Sequence, residues 1–174
     1  MLFLSAPDEK KSSGEAAIGG DFVLINHSGQ QVTNESYAGK PRLVYFGFTY
    51  CPDICPMGLA AMQAAIEQLR GDAPAGMFIT VDPERDTREQ LSVYMQNFPK
   101  IEGLTGTAEQ IKDAAKTYKI YYKKQKNEKS PQDYTMDHTS LIYLMDEDGK
   151  YLAHFPHTIN AEELAARIAQ ALQE

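Results

Sequence analysis

Residues 42–56 read RLVYFGFTYCPDICP, and this stretch decides how the chain folds. Residues 42–49 form an aromatic and β-branched run with Gly47 as its one gap. Such a run, with no polar alternation, is the pattern of a strand buried on both faces. From Pro56 onward the apolar residues Leu59, Met62, Ile66 and Leu69 recur at helical spacing. Pro56 suits a first turn, where its missing N–H is not needed. A central strand therefore hands over to a helix at Cys51 and Cys55, which are the only two cysteines in the chain.

Outward from this junction the pattern alternates. A second strand is expected over residues 77–81, followed by a helix capped by Thr87 and reaching Phe98, then a helix over 108–118 capped by Thr107. A right-handed crossover makes the first two strands parallel. Strands over 139–145 and 151–155 flank the turn Asp146-Glu147-Asp148-Gly149, and a helix over 160–172 closes the chain. On the N-terminal side, residues 22–25 and 31–33 flank Asn26-His27-Ser28-Gly29 as a hairpin. The predicted fold class is α/β, a thioredoxin-like fold whose central mixed sheet is flanked by helices. It carries an added N-terminal hairpin and an insertion, residues 100–137, before the final hairpin. That insertion is long enough to bring residues 118–126 near the cysteines.

A chain of 174 residues fits one ordinary domain. Residues 1–20 read as a flexible tether or the remnant of an anchor: an apolar start is followed by a polar run. Residues 21–174 form the domain. No stretch approaches the roughly 18 apolar residues a bilayer crossing needs. The net charge of -7 repels a phosphate backbone. The one dense basic run, 119–129, is interleaved with Tyr and Gln, and nucleic acid is excluded as a partner.

At a strand-to-helix junction, first-turn N–H groups and the helix dipole favour negative charge, so lowered thiol pKa values are expected there. Pro52 and Pro56 stiffen the loop, and a four-residue step places both sulfurs on one side of the first turn. Two thiolates suit Cu(I), or Zn with two further ligands. His138 is the third candidate. It stands just before the strand over 141–145, whose start lies beside the cysteines if that strand runs antiparallel to residues 43–48. Three ligands make a trigonal site, which Cu(I) accepts and Zn generally does not. His27 reads as a surface turn residue. His154 and His157 have metal-like spacing but are separated by Pro156. Met62 fits the apolar stripe, whereas Met57 and Met136 remain soft-ligand candidates. Asp53, Asp82 and Asp137 are the acidic candidates. Asp82 sits at a strand end where it could position an arginine, orient a ligand or aid metal arrival, or serve only as a local turn.

These pieces together resemble the Sco/SenC family over about residues 19–172. The matching segments are Gly20-Asp21-Phe22, the run from Tyr45 to Pro56, Val81-Asp82-Pro83-Glu84-Arg85-Asp86-Thr87, Gly103-Leu104-Thr105-Gly106, and Tyr134-Thr135-Met136-Asp137-His138-Thr139. The resemblance implies copper, Cu(I) or Cu(II), one per chain, on Cys51, Cys55 and His138. It also implies a redox-active cysteine pair, with Asp82 and Asp137 in support. The client it implies is the copper-site subunit of cytochrome c oxidase, with other copper chaperones or a thioredoxin-like reductant as further partners. The location it implies is the periplasmic face of a bacterial inner membrane, held by an N-terminal helix, or alternatively the mitochondrial intermembrane space. Three residues separate the cysteines here, and no proline directly precedes the strand over 141–145. Both features differ from a general thioredoxin. Metal delivery, thiol:disulfide exchange with the oxidase's copper-site cysteines, and peroxide reduction or sensing are the three functions to separate.

Overall fold

A computed structural model describes residues 17–51 and 54–173. The expected apolar start, most of the tether, and the loop residues Pro52 and Asp53 lie outside the described residues. The first elements are β1 (Val23–Asn26), β2 (Gln31–Thr33), β3 (Arg42–Gly47), α1 (Ile54–Leu69) and β4 (Ala75–Thr80). They are followed by α2 (Arg88–Tyr94), β5 (Ile101–Thr105), α3 (Ala108–Thr117), β6 (Tyr122–Gln125) and β7 (Thr135–His138). The chain ends in β8 (Leu141–Met145), β9 (Tyr151–Pro156) and α4 (Ala161–Leu172).

Local chemistry sets these bounds. Asn26 Oδ1 accepts from the backbone N–H groups of Ser28 and Gln30 and closes the β1–β2 hairpin. Thr87, Thr107 and Asn160 each accept from an N–H in the first turn of the helix they cap, a contact worth about 1 kcal/mol apiece. All six residues of β3 are buried, Arg42 among them.

The main sheet has the order β2-β1-β5-β4-β3-β8-β9. β3 runs parallel to β4, with Tyr45 opposite Phe78, and antiparallel to β8, with Arg42 opposite Met145. The sheet is therefore mixed, and helices cover it: a thioredoxin-like α/β fold. Alternation along β3 places Tyr45 and Gly47 on one face and Phe46 on the other. Phe46 packs 5.4 Å from the Tyr118 ring. At the other end of the sheet, Ile18 packs on the core and Gly19 donates to the Thr117 carbonyl. Gly19 also lies against Met145 and the Gly149 carbonyl.

Three features differ from the sequence reading. Part of the expected insertion is a central strand: β5 joins β1 to β4, antiparallel to the first and parallel to the second. Its Glu102 side chain accepts from the Tyr37 hydroxyl, and Gly103 makes room for Met95, whose Cγ would stand 2.7 Å from an added Cβ. Tertiary fit overrides weak strand propensity there. Second, α1 starts at Ile54, so Cys55 lies within the helix. Third, α2 stops at Tyr94 and continues as a single tighter turn, Met95–Asn97. What projects from the main sheet is the two-stranded ribbon β6–β7, in which Tyr122 faces His138. His27, expected to be a plain surface residue, accepts from the Gly103 N–H through Nδ1 at 3.0 Å and helps to pin β5.

Candidate metal and thiol site

Cys51 and Cys55 are both buried. The Cys55 N–H points at Cys51 Sγ, 3.5 Å away, so the first helical turn binds the earlier sulfur. Cys55 Sγ itself sits in the hollow that Gly47 leaves on β3: a Cβ there would stand 2.7 Å from Sγ and 2.8 Å from Phe78 Cε2. The gap in the apolar run is thus the seat of a thiol. His138, at the end of β7, brings Nε2 to 3.8 Å from Cys55 Sγ. Its Nδ1 lies 2.9 Å from the Thr139 carbonyl. A carbonyl can only accept, so Nδ1 carries the proton and Nε2 faces the sulfur with its lone pair. The Phe48 ring stands edge-on to the imidazole at 5.7 Å and limits its tilt.

The histidine's ribbon is held by Arg85. Asp82 accepts from Arg85 Nε at 2.6 Å and from the Tyr134 hydroxyl at 2.7 Å, and Arg85 Nη1 donates to the Tyr134 carbonyl at 2.8 Å. The guanidinium also lies 3.7 Å from the Tyr134 ring centroid and 4.5 Å from that of Tyr50. On the cysteine side, the buried Asp86 carboxylate accepts from the N–H and hydroxyl of Thr49 and from the Thr80 hydroxyl. That contact fastens the end of β3, just before Cys51, to the end of β4.

Electrostatics at the site run against the simple helix-dipole expectation. The Cys51 side chain beside it, then burial, push the Cys55 thiol well above its ordinary range. The dipole is outweighed because a neighbouring sulfur and a dry environment both penalise a second negative charge. Burial likewise raises Asp86 above its ordinary 3.8, against the lowering pull of its three hydrogen bonds.

Residues 10–173 match the SCO1/SenC family. The chain belongs to that family. Protein sco1 of Schizosaccharomyces pombe is 44% identical over 160 residues, covering 89% of this chain and 61% of the relative. Arabidopsis thaliana ScoI, solved with copper bound, is 39% identical with a TM-score of 0.82, over 89% of this chain and 98% of that one. Bradyrhizobium japonicum ScoI, also solved with copper bound, is 42% identical with a TM-score of 0.81, over 90% and 100%. This SCO1/SenC chain spans about half to three-fifths of the length of the eukaryotic relatives it matches.

The other sequence candidates of this SCO1/SenC chain fall into place around that geometry. Of the readings open to Asp82, the contact with Arg85 is the one present. Asp137 lies on the exposed side of the ribbon, accepting from Gln125 at 2.7 Å, and so makes no contact with the sulfurs. Met136 packs against the core, Met62 is fully buried, and Met57 is exposed. His154 Nδ1 meets the Tyr151 hydroxyl while His157 Nδ1 meets the Ser140 carbonyl, so the two do not form a pair. Among the described residues no three His, Cys, Asp or Glu side chains are set close enough to hold a metal together; Cys55 and His138 are the pair that approach. Arg85, Asp86, Tyr134 and Gly47 escaped the sequence reading as site residues. Their signal was present in the VDPERDT segment and in the single glycine of an otherwise bulky strand.

Proposed function

We propose that this chain is a copper metallochaperone that carries one copper ion on Cys51, Cys55 and His138 and delivers it to the binuclear copper site of cytochrome c oxidase. The observation that carries this reading is the approach of His138 Nε2, lone pair inward, to 3.8 Å from Cys55 Sγ. A metal bound to a thiolate at about 2.3 Å and an imidazole at about 2.0 Å, with a trigonal angle between them, holds S and N about 3.7 Å apart. Nδ1 bonded to a backbone carbonyl is the usual support for a ligating imidazole. Relatives solved with copper bound share this fold over nine-tenths of the chain. Copper is the cargo here: Cu(I) enters as the two thiols lose their protons, and it leaves as a client with its own thiolates replaces them. Residues 21–174 form the working unit and residues 1–20 tether it, with the domain on the periplasmic face of a bacterial inner membrane. Among the described residues no helix is long and apolar enough to cross a membrane.

X-ray absorption of the Cu(I) form is expected to give about two sulfurs near 2.3 Å and one nitrogen near 2.0 Å. A first shell without sulfur refutes the reading. His138→Ala is expected to weaken Cu(I) binding in a chelator competition while leaving the dithiol/disulfide couple intact.

The adjacency of the two buried cysteines also favours a second reading, thiol:disulfide exchange. In that reaction Cys51 and Cys55 form a disulfide, giving two electrons and two protons to a disulfide of the oxidase's copper-site subunit. The His138→Ala variant separates the two readings, because exchange does not need the imidazole. Turnover of peroxide would mark the third function, with one cysteine attacking and the other resolving the sulfenic acid.

A further inference from the structure

Near Cys55 lie two phenols that nothing in the metal or thiol chemistry above has used. Tyr45 is completely buried, and its hydroxyl makes no hydrogen bond of ordinary length, the Cys55 thiol being the side chain it addresses; the hydroxyl of Tyr94, at the end of α2, is buried and unpartnered as well. Buried hydroxyls rarely go unsatisfied, and each such group calls for a reason. Shape alone supplies none, since phenylalanine would fill the same space.

The placement of the two rings supplies one. Tyr45 and Gly47 share a face of β3, and α1 crosses over that face. Gly47 makes the hollow for Cys55 Sγ. One helical turn after Cys55, Gly58 makes a second hollow: a Cβ there would stand 3.2 Å from the Tyr45 ring and 3.4 Å from its hydroxyl. The two glycines therefore let the sulfur and the phenol lie side by side under one helix. Phe78, which touches the Cys55 hollow, has its ring centroid 6.2 Å from that of Tyr45 and 6.1 Å from that of Tyr94. Burial first, and then the nearby Cys55, raise the pKa of both phenols, with Cys51 adding to the effect. They remain O–H donors beside the sulfur at any physiological pH.

We propose that Tyr45 and Tyr94 are positioning residues whose hydroxyls are held unpaired in the metal-free protein as donors to the Cys55 sulfur when it becomes a thiolate. This rests on Cys55 being a ligand, as argued above. A neutral thiol is a weak acceptor, so the hydroxyls stay idle in the resting protein. A thiolate is a strong one, and hydrogen bonds to charged acceptors are about twice as strong as neutral ones. Hydrogen bonding around a ligating cysteine sulfur also tunes the metal's potential.

The test uses Tyr45→Phe and Tyr94→Phe in the whole chain, with three readouts: thermal midpoint without metal, Cu(I) affinity by chelator competition, and the thiolate-to-Cu(II) charge-transfer band. Each variant is expected to keep or raise the metal-free midpoint, because an orphaned hydroxyl is gone. Each is expected to lose about tenfold in Cu(I) affinity and to shift the charge-transfer band. The opposite signs matter, since a hydroxyl with a merely structural role would lower midpoint and affinity together, and that result overturns the proposal. So does wild-type affinity with an unshifted band in both variants. A wild-type protein with no thiolate-to-copper band would instead refute the ligand assignment itself, which is a different outcome from a wild-type band that both variants reproduce.

Discussion

Replacing Gly47 by alanine puts one methyl group into the most confined point of the site. The new Cβ would stand 2.7 Å from Cys55 Sγ on one side and 2.8 Å from Phe78 Cε2 on the other. Ordinary contact needs at least about 3.4 Å, so the two neighbours must together yield more than an ångström. Neither does so easily, because Cys55 is fixed within α1 and Phe78 is fully buried in β4. Overpacking of this kind costs about 1–3 kcal/mol, which lowers the melting temperature of a chain this size by roughly 2–12 °C. Gly47 has no positive φ, so the cost comes from crowding and not from backbone strain. A double-mutant cycle isolates it. Removing the sulfur with Cys55→Ala leaves space for the alanine methyl on one side, and the pair is expected to be about 1 kcal/mol more stable than the sum of the single effects. Urea unfolding followed by circular dichroism gives all four free energies. A neutral Gly47→Ala, or a cycle additive within about 0.5 kcal/mol, would falsify the claim that this glycine exists to seat the thiol.

Asp82→Ala is expected to destabilise the fold by about 3 kcal/mol, the cost of leaving Arg85 with a broken, largely buried pair. It should also loosen the β6–β7 ribbon, which amide hydrogen exchange at residues 134–138 would register; unchanged protection there removes Arg85 from its holding role. Asp86 has a folded pKa raised by burial, so its contribution to stability is full below about 3.8 and is lost as pH rises through the raised value. The stability difference between Asp86→Asn and wild type should therefore move in favour of the variant as pH rises across the acid range, and a pH-independent difference in urea unfolding contradicts the burial argument. The raised pKa of Cys55 means that metal must displace its proton at neutral pH. Apparent Cu(I) affinity between pH 6 and 8 should then rise by at least about tenfold per unit, as measured against a chelator of known proton dependence, and a flat profile would show that the thiol is already ionised.

Most of the scaffold was legible because the segments that build it obey simple periodicities. The run over residues 42–49, the stripe Leu59, Met62, Ile66, Leu69 and the caps Thr87 and Thr107 each carry their own local signal, and the elements they predict are present. β5 was not legible, since a glutamate and a glycine inside five residues look like loop until Tyr37 and Met95 are in place to receive them. The position of His138 beside Cys55 followed from one topological step, the antiparallel pairing of β8 with β3. The raised pKa of Cys55 did not follow. The dipole argument sees only the helix, whereas the Cys51 neighbour and the dry hollow at Gly47 are products of packing. Arg85 was hidden for a similar reason, as its partners lie 3, 35 and 49 residues away along the chain.

The chain joins the fold at one pole and presents its sulfurs at the other. Gly19 rests against Met145 and the Gly149 carbonyl, beside the start of β3, while Cys51 and Cys55 follow the strand's far end. Six residues of extended strand separate the two poles by about 20 Å. The thiols and the imidazole therefore lie at the end of the sheet away from Ile18 and Gly19, separated from that root by the length of β3.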